Sequence, residues 1–143
     1  MRKKILVAYD GTREGQRGLL EFAKTPPQPD LDIHLLAVIR LSAQDIMAET
    51  YLPNSIDVET QQYQKIIQEG RRLLSQRGYE VTTHVEFGEP IEQIVRLANE
   101  LPAELIVIGH KRRTSLASRW WHNSVGASLL EQSPCSILIA VSD

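Results

Sequence analysis

Two short stretches hold the residues whose types and spacing could do chemistry. The first, Asp10-Gly11-Thr12, directly follows the apolar run Ile5-Leu6-Val7-Ala8-Tyr9. The second leaves the apolar run Leu105 to Ile108 at Gly109, passes the basic cluster Lys111, Arg112 and Arg113, and reaches Asn123-Ser124-Val125. A glycine-started loop that feeds a helix beginning near Asn123 or Ser124 is an anion site. The N–H groups of a first helical turn have no helical partner, and the helix dipole is positive there. Arg112 adds a planar fork of donors that matches phosphate. Against this, Asp10 after a strand also fits a turn or cap, and a basic cluster also fits a solvated loop. The chemistry indicated is the holding of a phosphate-bearing molecule.

Other reactive groups lack partners at useful spacing. Ser124 and Ser128 have no His/Asp partner and no Gly-x-Ser-x-Gly elbow, so no nucleophile and no catalytic residue is expected. His110 and His122 flank the loop without a Cys or carboxylate at ligand spacing, so no metal site is expected. His34 and His84 fall in strand patterns and read as surface or edge residues. Cys135 is the single cysteine. It excludes an intrachain disulfide, fits a reducing compartment, and reads as a buried structural thiol. Trp120 and Trp121 could stack on a base, but such a pair also packs under a loop or at a dimer contact.

These groups need elements to position them. Strands are predicted over residues 4–9, 31–41, 79–87, 105–108 and 137–141. Helices are predicted from Thr12 to about Lys24, over 59–77, from Pro90 to Leu101, and from about Asn123 onward. Gly78 stands where a helix C-cap is expected, and Gly70 reads as a mild cost inside its helix. Alternation of Val81, Thr83, Val85 and Phe87 with Glu80, Thr82, His84 and Glu86 predicts an edge strand with one wet face. Residues 42–58 show no clear period and read as a lid-like loop.

Strands alternating with helices predict a parallel, doubly wound α/β sheet. The 143 residues suit one domain spanning 1–143. Ligands bind such sheets beyond the strand carboxyl ends, where the strand order reverses. With order 3-2-1-4-5, that point lies between the first and fourth strands, whose outgoing loops are the two stretches above. The net charge of −2, with 24% charged residues, argues against nucleic acid as a partner. No apolar run reaches the length of a signal-peptide core or a membrane span, so a cytoplasmic protein without membrane contact is expected.

Ile5 to Thr12, Phe87-Gly88-Glu89-Pro90-Ile91, Ile106-Val107-Ile108-Gly109, Asn123-Ser124-Val125 and Ser133 to Ile139 together resemble the universal stress protein family, in order and over essentially the whole chain. The resemblance implies strand order 3-2-1-4-5 and a cytoplasmic homodimer pairing through the last strand, Ile137 to Val141. In one subclass it implies ATP bound through Gly-x2-Gly-x9-Gly-[Ser/Thr], with Mg accompanying the nucleotide. Here Gly109 matches the first glycine, Arg112 replaces the second, and Asn123 falls one residue late for the third, with Ser124 keeping the hydroxyl. The glycines allow backbone N–H groups to approach phosphate unobstructed, so this departure bears on ATP directly. Asp10 matches a nucleotide contact, and Val38 the strand that meets adenine. The implied site is Asp10, Gly11, Thr12, Val38, Gly109, Arg112, Asn123, Ser124 and Val125. Two readings remain: a stress or signalling protein that binds an adenine nucleotide, with at most slow hydrolysis, and a dimeric module that binds no nucleotide and acts through a protein partner.

Overall fold

The computed structural model describes residues 2–11, 13–24, 30–40, 55–111 and 129–142. In chain order these form β1 (Lys3–Ala8), α1 (Arg13–Ala23), β2 (Leu31–Ile39), α2 (Ser55–Gln76), β3 (Val81–Phe87), α3 (Pro90–Glu100), β4 (Leu105–Lys111) and β5 (Ser136–Ser142). Residues 129–132 are helical. The five strands lie in the order β3-β2-β1-β4-β5, and every pairing is parallel.

The apolar runs explain the layering. A parallel sheet is covered on both faces, so alternate residues of a central strand enter different cores. Val7 and Tyr9 join Ile33 and Leu35 in one core, closed by Leu19 and Phe22 of α1 and by Ile67 and Leu74 of α2. Leu6 and Ala8 join Leu36, Val38 and Ile108 in the other, closed by Ile91, Ile94 and Leu97 of α3 and by Leu129. Leu6, Leu35, Ile67 and Ile94 are each fully buried. At roughly 1.5–3 kcal/mol for each such side chain, burial outweighs any single surface contact in the molecule.

Helix ends follow local chemistry. α2 stops in a Schellman turn: Tyr79 N–H donates to Leu74 O at 3.1 Å and Gly78 N–H to Ser75 O at 3.0 Å. Gly78 there has φ 92°, a conformation that strains residues with a Cβ. α3 opens with Pro90 at its first position and Glu92 in its first turn, where a missing N–H is harmless and negative charge is favoured.

Several sequence expectations need adjusting. β4 does not end at Ile108. It continues through Gly109 to Lys111, because β5 supplies pairs for Gly109, His110 and Lys111 at Ala140, Val141 and Ser142. α2 begins at Ser55, so the end of the expected 42–58 loop is helix; residues 42–54 lie outside the described residues, as does the expected helix start at Asn123. β2 ends at Ile39. β3 is an edge strand as expected, but Phe87 is 39% exposed and takes no part in the inner face. His34 is neither a surface nor an edge residue: it is buried on interior strand β2.

Gly70 also differs from its expectation. A Cβ there would stand 2.8 Å from the Tyr9 ring and 2.9 Å from Leu35 Cδ2, and both side chains are fully buried. The small residue lets α2 settle onto the sheet. Gly70→Ala gains about 1 kcal/mol of helix propensity, but overpacking a closed core typically costs about 1–3 kcal/mol. We expect a net loss of stability, read as a lower urea midpoint at unchanged slope; a raised midpoint would contradict this packing.

Candidate functional site

β1 is flanked by β2 on one side and β4 on the other. The chain winds out to β3 on the first side, then crosses over to β4, so the order reverses between β1 and β4. Register fixes which residues meet at the carboxyl edge. Val7 pairs with Leu35 on β2 and with Val107 on β4. Two residues further on, Tyr9 is level with Ala37 and Gly109; one more brings Asp10 level with Val38. Tyr9 N–H continues the ladder by donating to Leu36 O at 2.9 Å. Adjacent strands lie about 5 Å apart, so Asp10, just past the end of β1, comes to one edge with Val38 of β2 and Gly109 of β4. Of the remaining sequence-predicted site residues, Gly11 follows directly, whereas Thr12, Arg112, Asn123, Ser124 and Val125 lie outside the described residues.

The turn after β1 is held from both sides. Gly11 has φ 81°, and a Cβ on it would stand 2.8 Å from Ile66 Cγ2 of α2. Both the backbone conformation and the space therefore call for glycine. Tyr9, immediately before, is 1% exposed. Burial pushes its phenol above the ordinary value, a hydrogen bond with Gln16 of α1 opposes this, and the charges of Glu69 and Asp10 add to the rise. Tyr9 thus stays neutral and braces the turn against both helices. Val38 is buried in the core beneath α3, so its backbone is the part that an edge ligand would meet.

Gly109 is fixed by a contact that sequence reasoning missed. A Cβ on Gly18 of α1 would lie 2.9 Å from Gly109 Cα and 3.1 Å from Gly109 N. Helix and strand therefore touch backbone to backbone where the second chemistry-bearing stretch begins. The available signal was a glycine inside a helical pattern, three residues after Gly15, at a cost in helix propensity that usually has a packing reason. Cys135 is half-buried rather than fully buried. Burial raises its thiol pKa, and the Ser133 hydroxyl hydrogen bond opposes this, so it has little thiolate character. Among the described residues, no group of three or more His, Cys, Asp or Glu is arranged to hold a metal, and no helix is long and apolar enough to cross a membrane.

Comparison with known proteins accords with this architecture. The model of the universal stress protein family matches residues 1–140. The chain belongs to that family. It is 24% identical to the stress response protein NhaX of Bacillus subtilis, over 95% of this chain and 96% of that protein. Among solved structures, the hypothetical protein MJ0577 has a TM-score of 0.80 at 22% identity, covering 100% of this chain and 98% of the other. A universal stress protein in complex with cAMP has a TM-score of 0.70 at 16% identity, with 96% of both chains covered. A family member from Arabidopsis thaliana with AMP bound has a TM-score of 0.64 at 15% identity, with 99% and 92% covered. At these identities the structures establish the shared fold.

The Gly18–Gly109 contact yields a test within this family fold. Because backbone atoms oppose the new methyl, Gly18→Ala must move α1 away from β4. We expect a loss of about 1–3 kcal/mol of stability despite the better helix former, together with amide shift changes at Gly109 and Ala140. Unchanged shifts at both would contradict the close approach.

Proposed function

We propose that this chain is a cytoplasmic stress-response protein that binds an adenine nucleotide in the crevice between the turn after β1 and the loop after β4. The observation that carries the reading is the register that brings Asp10, Val38 and Gly109 to one carboxyl edge at the reversal of strand order. The cAMP and AMP held by two structures of the same fold support an adenine nucleotide as the ligand class. In this reading the Val38 backbone borders the base, while Asp10, Gly11 and Thr12 border the ribose or metal-bound phosphates. Gly109, Arg112, Asn123, Ser124 and Val125 hold the phosphates at a helix start. ATP with Mg is the fullest occupant, and Arg112 replaces backbone N–H contact by a guanidinium fork. The role is binding; no residue is assigned to activate water.

The decisive experiment is a ligand census. Protein purified without added nucleotide is denatured, and the released small molecules are separated and weighed by mass spectrometry. Stoichiometric ATP, ADP or AMP is the expected result. Calorimetry on emptied protein should give a dissociation constant that rises about ten- to a hundredfold in Asp10→Ala and in Ser124→Ala, the effect of one lost hydrogen bond to a charged group. An empty protein that also fails to take up added ATP or AMP would sink this reading.

A specific observation favours a second reading, in which the chain acts through its surface. β5 is the edge strand opposite β3, Leu138 on it is 43% exposed, and nearby Leu130 is 62% exposed. An apolar edge strand invites pairing. We propose that two copies pair through Ile137 to Val141 and that a protein partner reads the resulting assembly. Light scattering at micromolar concentration should give twice the chain mass, and Leu138→Lys should shift the protein toward monomer. A wild-type monomer would exclude this pairing.

A further inference from the structure

We infer that His34 and His84 form an acid-sensitive latch that ties edge strand β3 to the interior of the sheet. His34 lies on β2, whose neighbours are β1 and β3, and is 8% exposed. Its Nδ1 is 2.9 Å from Nε2 of His84 on β3, and its Nε2 is 3.2 Å from Asp32 Oδ2. The two rings are stacked, with centroids 5.1 Å apart at 28°. A carboxylate accepts only, so Asp32 selects the His34 tautomer that carries its proton on Nε2. Nδ1 of His34 then accepts, and Nε2 of His84 must donate. The result is a directed chain from β3 through β2 to a carboxylate at the amino edge. Asp32 lines an open cavity of about 590 Å³ there, with Arg2 and Arg71, so solvent protons reach the end of the chain.

This chain tolerates one extra proton but not two. A single imidazolium can donate to its neutral neighbour while Asp32 faces the pair. A second proton sets two N–H groups and two positive charges head to head across 2.9 Å. The surrounding charges do not outweigh this. Lys4 on β1 pairs with Asp32 in register. Glu86 on β3 and Glu100 on α3 both engage Arg96 of α3, at 3.5 Å and 2.8 Å. Leu6, the β1 partner of His34, is apolar. Burial first, and then the neighbouring His34, hold the His84 imidazole below its ordinary value. Glu86 and Glu100 pull it up, and Arg96 pulls it down.

The sign comes from linkage. A histidine depressed in the folded state binds more protons when unfolded, wherever pH lies between its folded value and the ordinary 6.5. Stability therefore rises with pH across that window. The latch is fully engaged above about 6.5 and weakens as pH falls below it. β3 is an edge strand, so the second proton acts where only β2 and the flanking helices hold the strand. This inference does not require a bound nucleotide.

Thermal unfolding of the whole chain between pH 7.5 and 5.0, for wild type and His84→Gln, tests it. The surface carboxylates titrate alike in both proteins. Wild type should lose on the order of 2–4 °C more in Tm than the variant over this range, with amide protection falling at Thr83 and Val85 before Val107. Parallel Tm curves would overturn the latch. If His84→Gln does not fold, NMR titration of the wild-type imidazoles decides. Two macroscopic steps more than about one pH unit apart are expected for a coupled pair, and two coincident steps would overturn it.

Discussion

Everything in this fold depends on covering β1 from both sides. Leu6 is fully buried and Val7 is 2% exposed, and they face opposite cores. A strand in that position cannot turn a polar face to water, so helices must be laid down on each face by right-handed crossovers. Covering it also decides where the chain can do anything else. Side chains in the body of the sheet are consumed by packing, and polar groups are left to the strand ends. The candidate site is the carboxyl end of the same strand that organises the core.

Close approach then sets the precision of that edge. α1 meets β4 at Gly18 and Gly109, while α2 meets the end of β1 at Gly70 and Gly11. In both places the helix comes nearer than a methyl group allows. Protein interiors transmit displacement because they are close-packed. The turn after β1 and the carboxyl-terminal part of β4 are therefore held by helices. The departure of the glycine motif at Arg112 falls beyond this anchored start, so the anchor at Gly109 does not depend on the motif residues downstream of it.

The two ends of the sheet are specialised differently. At the carboxyl edge, the register collects small residues and an acid around a strand reversal. Toward the amino edge of β2 and β3, it collects an acid and two imidazoles that bridge an interior strand to an edge strand. Both strands run between the two regions, since Val38 and His34 share β2 and the same face. The first region lies at the strand reversal of the sheet, and the second rests on the residues at positions 32, 34 and 84.

Much of this was legible in the sequence because it rests on local patterns. Continuous apolar runs gave buried parallel strands, Gly78 gave a helix end, Pro90 a helix start, and the order of elements gave the doubly wound sheet. Asp10 and Gly109 stood out as small or polar residues that end apolar runs. Pairing between distant segments was not legible. β4 runs past Gly109 only because β5 offers partners, and the sequence at His110 and Lys111 holds no trace of that. Gly70 read as a mild cost and Gly18 drew no reading of its own, since the reason for each is a ring or backbone supplied from elsewhere in the chain. His34 read as a surface or edge residue because an imidazole in a strand is ordinarily wet. Only the tertiary structure, by bringing residue 84 beside residue 34 and Asp32 behind it, supplies the hydrogen bonds that offset the cost of its burial.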